Sequence, residues 1–247
     1  MNIRMIAGMT GLGLGLLAAG CNKTAEEAKP PEKDPVVTEA PATPAPTLAN
    51  AAVFECDGGG ELQVQFNYGD TRSVTVSLNG AAPLSLPAKD DATEPMYTDG
   101  AKTLTVDMDG VLWNDGSGDK SCKGVSRPIP PPAAPGVVRD LTEAEAGAAI
   151  DLKVGDRFSI SLSDIPTAGY AWSPEKLPAF LKAGDTLGGA TTTAQYLPGF
   201  AGGNHWIVLV FEATAAGSGE LELAQRRPWE DKANPDDKRY KVTVTVK

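Results

Sequence analysis

Three short stretches of this chain hold the side chains best suited to recognition. The first, at 163–172, runs through Ser163, Asp164, Ile165, Pro166, Thr167, Ala168, Gly169, Tyr170, Ala171 and Trp172. The second, at 199–203, is Gly199, Phe200, Ala201, Gly202 and Gly203, and the third, at 226–229, is Arg226, Arg227, Pro228 and Trp229. Each sets turn-forming Pro or Gly beside an aromatic ring between strand-like runs, which is unusual chemistry for mere connectors. Pro166 fixes φ near the turn value and Gly169 accepts positive φ without a steric penalty, so the first loop is stiff. A stiff segment loses little entropy on entering a cleft.

The same inventory argues for binding rather than catalysis. Asp156, Asp164 and Glu230 are available carboxylates, but no pair is marked by spacing, and there is neither a phosphate loop nor a nucleophile elbow. His205 is the single histidine and has no Cys or Ser partner in any catalytic pattern, so it reads as a strand-edge residue. Three cysteines and one histidine in no ligand spacing give no metal site. The expectation is a non-enzyme without cofactor or metal. Trp172 and Trp206 neighbour strand patterns and read as core, and Tyr170 reads chiefly as a loop anchor. Trp229 follows Pro between charged residues and reads as a contact. Arg226 and Arg227 fit either a contact or a solvated pair flanking the turn.

The elements that must position these residues are strands. Phe158, Ile160 and Leu162 alternate, Trp206 to Phe211 is a continuous apolar run suited to a strand covered on both faces, Leu221 and Leu223 alternate, and so do Tyr240, Val242, Val244 and Val246. Residues 143–149 make one helical turn or a lead-in segment. The strand count is that of an immunoglobulin-like sandwich without its disulfide. Upstream, between Ala51 and Gly124, lies a second period-two pattern: Leu62, Val64 and Phe66; Val74, Val76 and Leu78; Leu104, Val106 and Met108. Turns are marked by residues 67–70, by Asn79 with Gly80, by Asp109 with Gly110, and by Asn114 through Gly116.

The fold class is therefore all-β: a small disulfide-closed barrel or sheet over 51–125, a Pro-rich linker over 126–138, and a sandwich over 139–247. Cys56 and Cys122 lie near the ends of the first part and are expected to bond in an exported chain. Closing that loop contributes roughly 4 kcal/mol in the chain-entropy model. Residues 1–20 read as an export signal, with Arg4 before a Gly- and Leu-rich apolar stretch too short to span a membrane comfortably. Residues 23–50 are rich in Pro, Ala, Thr, Glu and Lys with almost no large apolar side chain, and read as a disordered tether.

The whole chain carries a formal charge of −10, and loss of Arg4 with the leader makes the remainder more acidic still. That excludes nucleic acid, whose phosphates require a basic footprint. It leaves open attraction of a cationic partner or simple solubility.

On these residues the region from about Leu152 to Lys247 resembles the chagasin family of cysteine-peptidase inhibitors. Pro166, Thr167, Gly169, Tyr170 and Trp172 fit its first loop motif, with Ile165 in place of Asn and Ala168 in place of a second Thr. Gly202 and Gly203 fit the second, where Phe200 stands for the first Gly unless Gly199 substitutes by a one-residue shift. Arg227, Pro228 and Trp229 fit the third unchanged. The resemblance implies a papain-like cysteine peptidase as partner and places Pro166, Thr167, Ala168, Gly169, Tyr170, Gly202, Gly203, Arg227, Pro228 and Trp229 at the contact.

The first part resembles the periplasmic, membrane-bound inhibitors of c-type lysozyme at Phe54, Glu55 and Cys56, at residues 84–87, at residues 96–100 and at Cys122. That likeness implies lysozyme contacts at Thr93 and Tyr97. Asp109, standing where that family has lysine, would repel the catalytic carboxylates of such a target. A working lysozyme inhibitor and a related module with another ligand both remain open. Residues 17–21 resemble a bacterial lipobox, which implies lipidation of Cys21 and an envelope location, anchored in the outer membrane if Asn22 acts as the sorting residue.

Overall fold

Among the described residues the chain forms sixteen strands, most of them built on alternating apolar residues. The structure is a computed structural model that describes residues 48–70, 72–230 and 237–247. The expected leader, Cys21 and the tether as far as residue 47 lie outside the described residues. The first part comprises β1 (Ala52–Cys56), β2 (Glu61–Asn67), β3 (Ser73–Leu78), β4 (Leu84–Pro87), β5 (Met96–Thr98), β6 (Thr103–Asp107), β7 (Gly110–Asn114) and β8 (Asp119–Val125). They form one antiparallel sheet in the order β4-β3-β2-β1-β8-β7-β6-β5. A single bridge between Ala88 and Tyr97 draws the two edges together, so the sheet is a nearly closed barrel.

Its interior is filled by the inward residues of each strand, among them Phe54, Leu62, Val64, Val74, Leu86, Leu104 and Trp113. Strands β1 and β8 pair with Cys56 opposite Cys122, and the two are joined in a disulfide as expected. Asn79 and Gly80 both take left-handed φ, 51° and 70°, which suits the tight turn after β3. Two readings of this part need correction. Met108 does not continue the alternation of β6; it lies at the tip of the β6–β7 hairpin, 98% exposed. Tyr97 is buried, with its ring edge-on to Phe66, and burial raises its hydroxyl pKa.

The second part comprises β9 (Arg139–Leu141), β10 (Ala149–Leu152), β11 (Arg157–Asp164), β12 (Ala171–Lys176), β13 (Leu181–Ala190), β14 (His205–Ala213), β15 (Gly217–Arg226) and β16 (Lys238–Val246). Two four-stranded sheets, β10-β16-β15-β12 and β13-β14-β11-β9, face each other across one core. Phe158, Ile160, Leu162, Leu209 and Phe211 from one sheet meet Leu221, Leu223, Val242 and Val244 from the other, with Phe158 and Phe211 stacked 5.4 Å apart. Residues Glu143–Glu145 make a helical turn, closed by a capping box in which Thr142 and Glu145 exchange hydrogen bonds. Tyr240 is buried and its hydroxyl has no partner among the described residues; burial pushes its pKa up to about 12.

The continuous apolar run of β14 is covered on both faces, as its composition requires. Ile207, Leu209 and Phe211 face the shared core. Val208 and Val210 pack instead against Ala134 and Val137 of the Pro-rich connector. That connector is a strap laid along the sheet. Ile129 N–H donates to Thr191 O at 2.8 Å, Val138 N–H to Arg157 O at 2.8 Å, and Arg157 Nη1 to Pro135 O at 3.0 Å. Trp206, expected in the core, is half-buried beneath this strap, and its indole N–H donates to Ile129 O at 2.6 Å.

Candidate functional site

Strand register brings the three loops to one end of the sandwich. Asp164, the last residue of β11, pairs with His205, the first of β14. Ala171, the first of β12, pairs with Arg226, the last of β15. Because only the first loop separates Asp164 from Ala171, the β11–β12, β13–β14 and β15–β16 connections all leave from the same edge.

The first loop is fixed from within and from below. Pro166–Ala168 is a 3-10 turn ending at Gly169 with φ 79° and ψ 7°, a left-handed cap that any Cβ would strain. Ala168 N–H donates to Ile165 O at 3.0 Å and Gly169 N–H to Pro166 O at 2.9 Å. At the base, Trp172 Nε1 donates to Ser163 O at 2.8 Å, while Gln225 Nε2 donates to Ser163 O at 3.2 Å and to Asp164 Oδ1 at 3.1 Å. The buried Asp164 carboxylate also accepts the Ile165 N–H at 2.9 Å. With its buried groups satisfied, this base is rigid. Above it Pro166, Thr167 and Ala168 are exposed.

The third loop folds onto the first. A Cβ built on Gly169 would lie 2.1 Å from Cη2 of Trp229, so only glycine lets the indole rest there. Arg227 Nε donates to Ala168 O at 3.1 Å, and its guanidinium stands 4.7 Å from the Tyr170 ring centre in a cation–π contact. Arg227 is therefore an internal brace as well as a surface group. Trp229 nonetheless remains 67% exposed, and Pro228 is exposed beside it. Arg226 is no solvated residue either: its Nη2 lies 2.7 Å from Glu175, which also pairs with Arg239. Arg239 and Lys241 both bond Glu222 and hold its carboxyl below the usual range.

The second loop is built differently. Its first half, Thr193–Tyr196, is a 3-10 turn with a capping box between Thr192 and Gln195. Gln195 then spans the loop: Oε1 accepts from the N–H groups of Thr191 and Thr192, while Nε2 lies 3.2 Å from Nε2 of His205. His205 thus serves the loop's frame. Gly203, at φ 88°, leaves room for Gln195 and the Phe200 ring, 3.3 and 3.4 Å from where a Cβ would be. Phe200 is 44% exposed. An open cleft of about 420 Å³ lies between this loop and the first, lined by Asp164, Pro166, Gly189, Gln195, His205 and Trp206.

The three motifs thus converge, and the first and third touch. Sequence reasoning missed Gln225, Asp164 as a fastener, and Gln195. Only Gln195 left a signal, the Thr192-to-Gln195 capping-box spacing. In the first part Thr93 is exposed on the β4–β5 connection, but Tyr97 is buried, so the two are not presented together at the surface. Asp109 lies at the β6–β7 hairpin tip. Among the described residues there is no group of His, Cys, Asp and Glu able to hold a metal ion, and no helix long and apolar enough to cross a membrane.

Residues 151–244 match the family model described as chagasin family peptidase inhibitor I42. That match makes this region similar to the family over less than half of the chain. Amoebiasin-1 of Entamoeba histolytica is 29% identical over 111 residues, which are 43% of this chain and 97% of that protein. Among solved structures, the chagasin-like region is similar to the cysteine protease inhibitor EhICP2 of Entamoeba histolytica, 23% identical at a TM-score of 0.38 over 44% of this chain and 95% of that one. It is also similar to PbICP-C in its complex with falcipain-2, 13% identical at a TM-score of 0.31 over 47% and 95%. The chagasin family is one of peptidase inhibitors, in keeping with the expected absence of enzymatic activity.

Proposed function

We propose that the chagasin-family domain inhibits papain-like cysteine peptidases by offering the three loops at one end of its sandwich to the enzyme's groove. The observation that carries this is the clamp between two motifs far apart in the chain: Trp229 resting on Gly169 while Arg227 holds the Ala168 carbonyl. The family match and the identity to Amoebiasin-1 support the same reading.

Papain-like enzymes attack with a thiolate paired to an imidazolium at the floor of a groove. The Pro166–Ala168 turn enters that groove with the Thr167 hydroxyl beside the dyad, and the left-handed Gly169 turns the backbone away so that no carbonyl lies in attack geometry. The exposed face of Trp229 lies on the enzyme's apolar rim, and Gly202 with Gly203 approaches the opposite rim through backbone groups. Ile165 and Ala168, in place of polar residues, leave the loop with fewer side-chain hydrogen bonds to give. Because the first loop is already ordered, little entropy is lost on binding.

Papain titrated with the purified protein tests this. Residual activity falls stoichiometrically if the reading holds, and Thr167→Arg abolishes the effect by filling the groove. Full papain activity at saturating protein overturns it and leaves an envelope adhesion module as the better account. Anchoring through Cys21 and inhibition of c-type lysozyme remain proposals from sequence alone. The buried Tyr97 gives the lysozyme reading no support.

A further inference from the structure

The second loop is anchored to the first β part as well as to its own sandwich. Tyr196 and Leu197 pack against the core of the first barrel. Leu197 lies over Gly124 of β8: a Cβ on Gly124 would stand 2.7 and 2.9 Å from its two terminal methyl carbons. Thr193 locks the same junction, its Oγ1 donating to Val125 O at 2.8 Å and accepting from Arg127 N–H at 2.9 Å, while its own N–H donates to Arg127 O at 2.9 Å. Tyr196 Oη donates to Asn50 Oδ1 at 2.8 Å. From this seat the path to the glycines is short. Phe200 N–H bonds Leu197 O at 3.2 Å, and Gln195 Nε2 lies 3.2 Å from His205 Nε2 and 3.3 Å from where a Cβ on Gly203 would stand.

We propose that the first β part is a positioning element of the inhibitor, holding Gly202 and Gly203 through the seat that Gly124 leaves for Leu197. This rests on the reading that the loop edge binds a peptidase. Neither Gly124 nor Leu197 is placed at the enzyme contact; both act by keeping the second loop in one arrangement. If the seat is lost, the competent arrangement is populated only part of the time, and apparent affinity falls in proportion. Such a loss is expressed as slower association, whereas loss of a direct contact is expressed mainly as faster dissociation.

The test uses the full chain with Gly124→Leu, which fills the seat, and Leu197→Ala, which empties it, alongside Trp229→Ala. Stopped-flow inhibition of papain should show association slowed about tenfold in both seat variants, if the competent fraction drops to about one-tenth, with dissociation little changed. Trp229→Ala should show the opposite split. If Gly124→Leu does not fold by circular dichroism, Leu197→Ala decides alone. Unchanged association and dissociation rates in a folded seat variant overturn the inference while leaving the inhibitor reading intact. If even the unaltered protein fails to inhibit papain, the inhibitor reading falls, and amide exchange decides the seat: faster exchange at residues 199–203 in Leu197→Ala supports it, unchanged exchange overturns it.

Discussion

The two β parts solve the same problem, closing a sheet around a small core, in ways that leave different freedoms. The first closes almost into a ring and is pinned by Cys56–Cys122, so its strand ends are spent on closure. The second stacks two open sheets around a core with no covalent link among the described residues, which leaves one end free to carry three loops. Candidate residues in the barrel divide between surface and core; those in the sandwich lie on three loops at one end, of which the first and third touch.

That contrast can be broken at several points. The largest effect should come from Cys56→Ser with Cys122→Ser, which loses roughly 4 kcal/mol of stability by chain entropy; calorimetry should show the first part melting well below its normal transition, and an unmoved transition would mean the ring holds without its pin. Next is Gly169→Ala, which forces a Cβ into the left-handed cap and the Trp229 ring together. It should weaken papain inhibition by about 2 kcal/mol or more, on the scale of an interface hot spot, measured as the inhibition constant. Trp229→Ala keeps the cap and removes only the indole, so its loss should be smaller, above about 1 kcal/mol. Equal losses in the two variants would mean that the glycine matters only through the ring.

The smallest effect sharpens the core side of the comparison. Tyr240→Phe removes a buried hydroxyl that has no partner among the described residues and should stabilise the sandwich by about 1 kcal/mol in urea unfolding at neutral pH. Its pKa is raised in the folded state, from 10.0 to about 12, so the unfolded chain loses this proton first as pH rises. Stability from this group is fully present below 10 and falls between 10 and about 12. The Phe variant should show a shallower alkaline decline, with Tyr97 and Tyr196, also raised by burial, leaving a residual slope.

Much of the scaffold was legible because half-buried strands write themselves as period two, as in Leu62, Val64 and Phe66 or Tyr240 through Val246. Turn chemistry marked Asn79–Gly80 correctly, whereas Asp109–Gly110 marked the β6–β7 turn one residue late, since Gly110 already opens β7 opposite Asp107. Where the period misled, geometry explains it. Met108 continues the alternation by one step past the end of β6, and nothing local says that the chain has already turned. Strand β13 could not be read, since Gly184, Gly188, Gly189 and several polar residues erase its alternation while β14 supplies its pairing. The three loop motifs were readable as pieces, and the stiffness of the first followed from Pro166 and Gly169. The fasteners were not. Gln225 and Leu197 matter through neighbours distant in sequence, and a lone Gln or Leu announces no such partner; Gln195 alone left a trace, in its capping-box spacing from Thr192.

The Pro-rich strap has a practical reach. An excised sandwich beginning at Arg139 would lose Ala134 and Val137 and bare Val208 and Val210 on a flat outer face, together with the indole that Ile129 now caps. Such a fragment would be sticky in solution through no fault of its interior, so the smallest well-behaved sandwich fragment should start no later than Arg127.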